Sequence, residues 1–554
     1  MLPLTPIFLL KKTDMTTRVK RLFKGVRRSF SRSILLARLL RLKASEGPPT
    51  RSGLIMIQID GLSQSQLEKA LDRGEMPFLQ RLIERHQYQL HDHYSGLPST
   101  TPAVQSELFY GVKGAVPAFS FRDHESGNIV RMYEPEAAAK LEKRHTDTGN
   151  KVLLKDGSAY SDNFSGGAAE PHFCPSSMGW GSALSVANPL VLLAFLLSNF
   201  YSFLRVAVLL PLELGLALRD FTRGMVRGQD FIKELKFIPT RIGICILLRE
   251  LCVIGAKIDI SRGLPVVHIN FLGYDEQAHR RGPDSLFAHW TLKGIDDAVA
   301  RLWRAARRAP WRSYELWVYS DHGQVRVRPY HQVQGYTLEQ AVKMTFDSMD
   351  VAAETIHAES TGSVQTRRIR FLGGKIIQRL FSVIDGNDNI PPAIQPIMTA
   401  MGPVAHLYMA KKITPEQNIR IASELARAHQ IPLVLTQSAS GTIIAVTATA
   451  EFQLPVDLAD LFGTDHPFID TLGDDLQCLC KHPDAGDFVL LGWCHGVTPL
   501  SFAEENGAHG GITAEETNGF ALLPGNTFLA ARQDPFLRPT DLRRAALHYL
   551  GRLT

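Results

Sequence analysis

Three apolar, β-prone runs in this chain each give way to a carboxylate. "GLIMIQIDG" at 53–61 ends on Asp60, and "YELWVYSDHGQ" at 314–324 ends on Asp321 and His322. "LPVVHINFLGYDEQAH" at 264–279 runs into Asp275. After the first run, "SQSQLEKALDRGEMPFLQRLIERH" reads as helix, turn, helix. Between the other two, "SLFAHWTLKGIDDAVARLWRAARRA" repeats its apolar residues at helical spacing. Strands alternating with helices predict an α/β fold with a mainly parallel central sheet flanked by helices. One Asp-Gly after a strand is an ordinary turn. Three carboxylates past strand runs, joined by histidines, point instead to a site at the carboxyl edge, where open α/β sheets place ligands.

Two insertions interrupt this alternation. Residues 115–262 contain a long apolar stretch and the Gly/Ser-rich "DGSAYSDNFSGGAAE", which reads equally as a turn cluster or a ligand loop. Residues 335–500 contain "GPVAHLYM", then the helical "TPEQNIRIASELARAH", then "IPLVLTQSASGTIIAVTA", the pattern of a smaller α/β subdomain. The expected organisation is an N-terminal arm (1–52), core segments at 53–114, 263–334 and 501–554, the insertion with apolar helices (115–262), and the subdomain (335–500).

Charge singles out the arm. Residues 1–51 hold 13 Lys/Arg and only Asp14 and Glu46 as acids, leaving 48 basic against 53 acidic residues in the body. A near-neutral body argues against a nucleic-acid groove. Val19, Leu22, Phe23, Val26 and Phe30 fall on one helical face, with Lys20, Arg21, Lys24, Arg27 and Arg28 on the other. This is the pattern of an interfacial membrane helix; the alternative is a helix docked on the protein's own surface. The apolar stretch at 188–220 is long enough to span a bilayer but carries Arg205, Pro211 and Glu213. It is expected as two shorter helices at an anionic membrane surface, or as an internal hairpin. Six scattered cysteines without a CxxC pair suit a reducing compartment. The expected location is cytoplasmic with peripheral membrane association, and spanning by the insert is left open.

The candidate chemistry is metal chemistry. Asp275 and His279 are four apart, on one face of a helical turn. His509 sits in "GAHGG", where glycines allow close approach. Oxygen and imidazole donors without thiolates suit Zn²⁺, with Mn²⁺ as the alternative. Two such ions can clamp the attacking and leaving oxygens of a phosphoryl transfer. "LPSTTPAVQSELFYG" offers Ser99, Thr100 and Thr101 before a predicted helix. A hydroxyl there reads as an N-cap or as a nucleophile at a phosphate-binding helix start.

Taken in order, "IDG", "PSTTP", "YDEQAHRRGP", "SDHG" and "AHGG" resemble the alkaline-phosphatase superfamily, and within it the nucleotide pyrophosphatase/phosphodiesterase branch. The resemblance covers about 53–125, 262–330 and 500–525. It implies an alkaline-phosphatase-like sheet and two metal sites: Asp60, Thr101, Asp321 and His322 for one, and Asp275, His279 and His509 for the other. It further implies Thr101 as nucleophile, ten residues before Gly111. Thr100 is the alternative, because Pro102 follows Thr101 directly. The Asn that the branch uses to hold a phosphate oxygen is replaced by Ala103, with Gln105 as a candidate substitute. The implied activity is phosphoester hydrolysis, of a diester before a monoester, through a phosphothreonine; the basic helix and the apolar insert, not the resemblance, suggest a lipid or phospho-headgroup substrate. The alternatives are a phospho-headgroup transferase of the same superfamily and a non-catalytic membrane-associated scaffold.

Overall fold

The computed structural model describes residues 52–175, 242–349, 397–409 and 413–553, with shorter pieces at 32–39, 42–43, 45, 357–360 and 411 and scattered positions between 197 and 215. The basic stripe at 16–30 and most of the apolar stretch at 188–220 lie outside the described residues. Among the described residues no helix is long and apolar enough to cross a membrane.

A seven-stranded sheet forms the centre. Its strands are β1 (Gly53–Ile59), β2 (Tyr88–Tyr94), β3 (Ser158–Tyr160), β4 (Glu170–His172), β5 (Val266–Phe271), β6 (Tyr314–Tyr319) and β7 (Asn518–Pro524), in the order β2-β7-β6-β1-β5-β3-β4. From β6 to β4 every pairing is parallel. Only β7 runs against its neighbours β2 and β6. The expected α/β fold with a mainly parallel sheet is therefore present. The antiparallel strand follows from chain order: β7 returns from the last segment and enters beside the edge strand β2. The sequence "YQLHDHY" of β2 gave no clear strand signal because three of its central positions are only half-buried.

β1 is buried throughout, and its alternation divides two cores. Ile55, Ile57 and Ile59 join Val267, Ile269, Leu316 and Val318 on one face. There they meet helices α1 (Gln64–Asp72), α2 (Pro77–His86), α4 (Arg249–Arg262) and α6 (Leu286–Arg308). Leu54 and Met56 join Val266, Trp317 and Tyr319 on the other face, under α3 (Thr101–Tyr110) and α7 (Pro539–Tyr549). Burial on both faces is why these strands read as continuous apolar runs. α5 (Gly273–Arg281) follows β5 after one residue, so Asp275 stands in the first turn of a helix rather than at a strand end.

A second seven-stranded sheet takes its strands from residues 357–491, with Val404–Tyr408 and Phe488–Leu491 near its middle. Helices Leu338–Ser348 and Pro415–Ala428 cover one face and Ile469–Cys480 the other. Val404 of this sheet clusters with Leu97 and Ile512, which flank the "PSTTP" and "AHGG" segments, so the second sheet buttresses both.

Candidate metal centre

Sheet alternation sets the first part of the site. Asp60 follows β1, Asn270 lies near the end of β5, and Asp321 follows Ser320 after β6. All three stand on the face covered by α3. Asn270 Nδ2 donates to Asp60 Oδ2 at 2.8 Å. Gly61 N donates to Asp321 Oδ1 at 3.3 Å. The "IDG" motif has a steric reason: Gly61 has φ +71°, and a Cβ there would stand 2.6 Å from Asp275 Oδ1. The glycine of "SDHG" has one too, since a Cβ on Gly323 would meet the Glu515 carbonyl oxygen at 2.0 Å.

Thr101 opens α3. Its Oγ1 lies 3.3 Å from Asp60 Oδ1 and 3.3 Å from His322 Nε2. Free N–H groups and the positive helix end favour negative charge at this spot. Thr100 is the N-cap residue, but its side chain makes no cap hydrogen bond and its hydroxyl is buried without a hydrogen-bond partner among the described residues. The geometry thus brings Thr101, and not Thr100, onto the Asp60–His322 pair.

α5 supplies the second part. His279 Nε2 lies 3.4 Å from Asp275 Oδ1, one turn away. His509, just after the short strand Gly507–Ala508, brings its Nε2 to 3.7 Å from the same oxygen. Two groups of ligand atoms result, Asp275–His279–His509 and Asp60–Asp275–His322. Asp275 belongs to both, so the two sets expected from the sequence touch through it. Asp321 Oδ2 faces His322 Nε2 at 3.4 Å.

Each imidazole is held from behind. His279 Nδ1 is 2.9 Å from Glu505 Oε2 and 3.0 Å from the Gly507 carbonyl. His322 Nδ1 is 3.0 Å from the Gly323 carbonyl, and His509 Nδ1 is 3.0 Å from the Ser99 carbonyl. With Nδ1 donating outward, each Nε2 turns toward the carboxylates, as in metal-binding histidines. The donor set, oxygen and imidazole, fits a divalent cation. One further observation fits it: Asp321 Oδ2 is fully buried and accepts no hydrogen bond from the described residues, a costly state that a bound cation would relieve.

The electrostatics divide the histidines. Burial pushes His322 down to about 4, against the pull of Asp275. Burial and the neighbouring His322 push His509 down to about 3. Burial opposes charge on His279 as well, yet Asp275 and Glu505 hold it well above its ordinary value. Asp275 is held low by His279 despite its burial. Burial lifts Asp321 to about 7, partly offset by Thr101.

Four residues that hold the site carry little sequence signal. Asn270 and Glu505 are two. Gln324, which donates to the Asp275 carboxylate and to its carbonyl, is the third. Ser99, whose carbonyl holds His509, is the fourth. Asn270 was detectable as a polar residue inside an apolar strand. Glu505 was not, because it is 226 positions from its partner His279. Gln105 does not take the place of the missing Asn. Its amide is committed to Gln58, Asp162 and Asn163. Two other acidic clusters are ion pairs: Lys140 and Arg144 hold Asp123, and Arg262 bridges Glu170 and Asp259.

Residues 264–380 match the family model for type I phosphodiesterase / nucleotide pyrophosphatase. The matched segment contains Asp275, His279, Asp321 and His322, and it bears out the resemblance to the nucleotide pyrophosphatase/phosphodiesterase branch of the alkaline-phosphatase superfamily. No curated protein matches the chain. Among solved structures, the chain is similar to phosphonoacetate hydrolase from Sinorhizobium meliloti 1021 in complex with phosphonoformate, at 13% identity over 90% of this chain and 96% of that one, TM-score 0.44. It is also similar to human ectonucleotide pyrophosphatase / phosphodiesterase 5, at 12% identity over 90% and 95%, TM-score 0.45.

Proposed function

We propose that the protein is a two-metal phosphoesterase that hydrolyses a phosphodiester through a covalent intermediate on Thr101. The observation that carries this reading is the Thr101 hydroxyl at a helix start, 3.3 Å from both Asp60 Oδ1 and His322 Nε2. Asp60, Thr101, Asp321 and His322 would hold one ion, and Asp275, His279 and His509 the other, with Asp275 between them. Zn²⁺ is the ion the donor set favours, with Mn²⁺ next. Bound there, the ions would supply Lewis-acid stabilisation of charge on the phosphoryl oxygens and acidify the attacking groups. The Thr101 Oγ–phosphorus bond forms as the ester P–O bond breaks and the alcohol leaves. Water then takes the phosphoryl group and Thr101 regains its proton.

The test is an activity screen on the full chain supplied with Zn²⁺ or Mn²⁺, over nitrophenyl monoester, diester and phosphonate substrates. Turnover of the diester that stops on chelation supports the reading. No turnover of any substrate with either metal would overturn it.

We place the reaction at an anionic membrane surface. Leu197, Phe200, Leu204 and Val208 are spaced along one helical face and are all exposed, while Arg205 turns inward to pair with Asp297. The short helix Arg32–Leu39, which ends the basic arm, packs with Phe203 against α4 through Leu36 and Ala37. The helix Arg32–Leu39 and the segment that carries the apolar stripe therefore meet through Phe203, a combination that supports lipid contact. Flotation of the full chain on anionic liposomes tests this, and failure to float at any salt concentration would remove it.

A further inference from the structure

Directly beneath the candidate metal centre lies a second polar layer. Gln58 is two residues before Asp60 on β1, His268 two before Asn270 on β5, and Tyr319 two before Asp321 on β6. The two-residue period of a strand puts each pair on the same face. α3 repeats the relationship: Gln105 is one helical turn after Thr101, about 5.4 Å along the axis. The layer is joined throughout. Gln105 Nε2 donates to Gln58 Oε1 at 3.1 Å and to Asp162 Oδ1 at 3.0 Å. Gln105 Oε1 accepts from Asn163 N at 2.9 Å. The Tyr319 hydroxyl donates to Gln58 Oε1 at 3.2 Å. His268 spans Asp162 Oδ2 at 2.9 Å and the Tyr319 hydroxyl at 2.7 Å. Gln58, Gln105, Asp162, His268 and Tyr319 are all fully buried.

Burying five polar side chains inside an apolar sandwich is costly and needs a reason. α3 supplies one. All ten of its residues are buried, so no apolar stripe tells the helix which way to face. Apolar packing is non-directional and leaves rotation and axial register weakly set. Hydrogen bonds set them sharply. Ser106 and Glu107 bind His145 and Thr540, away from the sheet. Gln105 is bonded to β1 and to the loop after β3, and through them to β5 and β6. Three of these strands, β1, β5 and β6, carry Asp60, Asn270 and Asp321.

We propose that Gln105 is a positioning residue: anchored by Gln58, Asp162 and Asn163, it fixes the register of α3 so that the Thr101 hydroxyl faces Asp60 and His322. The proposal rests on the reading of Thr101 as nucleophile. It assigns a purpose to "DGSAYSDNFSGG", whose Asp162 and Asn163 hold the glutamine rather than a ligand.

The test compares wild type, Thr101→Ala, Gln105→Leu and Tyr319→Phe as full-length, metal-loaded proteins. It measures kcat and KM on bis(nitrophenyl) phosphate, together with bound metal. Gln105→Leu keeps the volume but removes the directional bonds. Its kcat should fall about 100-fold, as misplacement by about 1 Å costs, with KM and bound metal within twofold of wild type. Tyr319→Phe, which removes the one hydroxyl that bonds Gln58 and His268, should lower kcat by about tenfold with the same split. If Gln105→Leu fails to fold, Tyr319→Phe decides alone. A kcat within threefold of wild type in the deciding variant overturns the proposal, as does a parallel loss of metal and KM, which marks general destabilisation. Turnover by Thr101→Ala would instead overturn the underlying reading of the nucleophile.

Discussion

His322 and His509 stack with ring centroids 3.9 Å apart and planes 19° from parallel. Two imidazolium rings could not share that contact, and burial pushes both groups far below their ordinary value. Burial therefore disfavours charge on both rings, with Nδ1 on a carbonyl and Nε2 turned toward the carboxylates. Two chain segments almost 190 positions apart thus bring their imidazoles to one cluster of candidate ligands.

Metal affinity should rise with pH for a specific reason. Asp321, lifted to about 7, and His279, held well above its ordinary value, both carry protons in the metal-free protein below pH 7. A cation has to displace them, so each costs about tenfold in apparent affinity per pH unit below its own pKa. His322 and His509, at about 4 and about 3, add nothing above about pH 5. Chelator competition with Zn²⁺ at pH 5.5, 6.5 and 7.5 should show a steep rise. A flat profile would remove the assignment of Asp321 and His279 as ligands.

Thr101→Ala should abolish turnover while leaving bound metal unchanged. Thr100→Ala should stay within about threefold of wild type, because the hydroxyl it removes has no hydrogen-bond partner among the described residues. Loss of a buried, unpaired hydroxyl costs little. Steady-state rates and metal analysis of both variants decide the register. The reverse result would assign the nucleophile to Thr100.

Glu505→Gln should weaken one of the two ions by about 10–100-fold, as the loss of an outer-shell carboxylate does. The Gly507 carbonyl, 3.0 Å from His279 Nδ1, remains to orient the ring, so binding should be weakened and not lost. Stepwise metal titration should show one affected site. Two unaffected sites would mean that Glu505 has no part in holding His279.

Gly61→Ala should disable metal binding and lower stability together, since its Cβ would stand 2.6 Å from Asp275 Oδ1. Gly74→Ala is the control: φ is +64° but nothing lies within 4 Å. It should cost about 1 kcal/mol, the ordinary strain of a left-handed residue, with metal content unchanged. Thermal unfolding and metal analysis separate the two. Equal behaviour would show that the close approach at Gly61 is relieved by movement of Asp275.

Much of the fold was legible because it is written locally. Apolar runs bounded by glycine marked β1, β5 and β6, and helical spacing marked α6. The segment "YDEQAH" placed Asp275 and His279 on one helical face, where α5 holds them. The reading of Asp275 as a strand-end carboxylate was displaced because β5 stops at Phe271 and a helix starts at once. The antiparallel insertion of β7 was not legible, since neither its sequence nor that of β2 states which strands it will pair with. Gln105 read as a possible oxygen-holding group, because its partners Gln58 and Asp162 lie 47 and 57 positions away.

By itself, then, the sequence determined which residue types stand at the ends of which elements, because period and turn chemistry depend only on near neighbours. Only the tertiary structure decided that Asp275 belongs to both candidate ligand groups, that Glu505 and Ser99 stand behind two of the histidines, and that Thr101 faces Asp60 and His322 while Thr100 does not. Those choices depend on the angle and register at which α3, α5 and the loop at His509 pack against the sheet. That register is a property of contacts distant in the chain, set by directional bonds and close packing that no local pattern records.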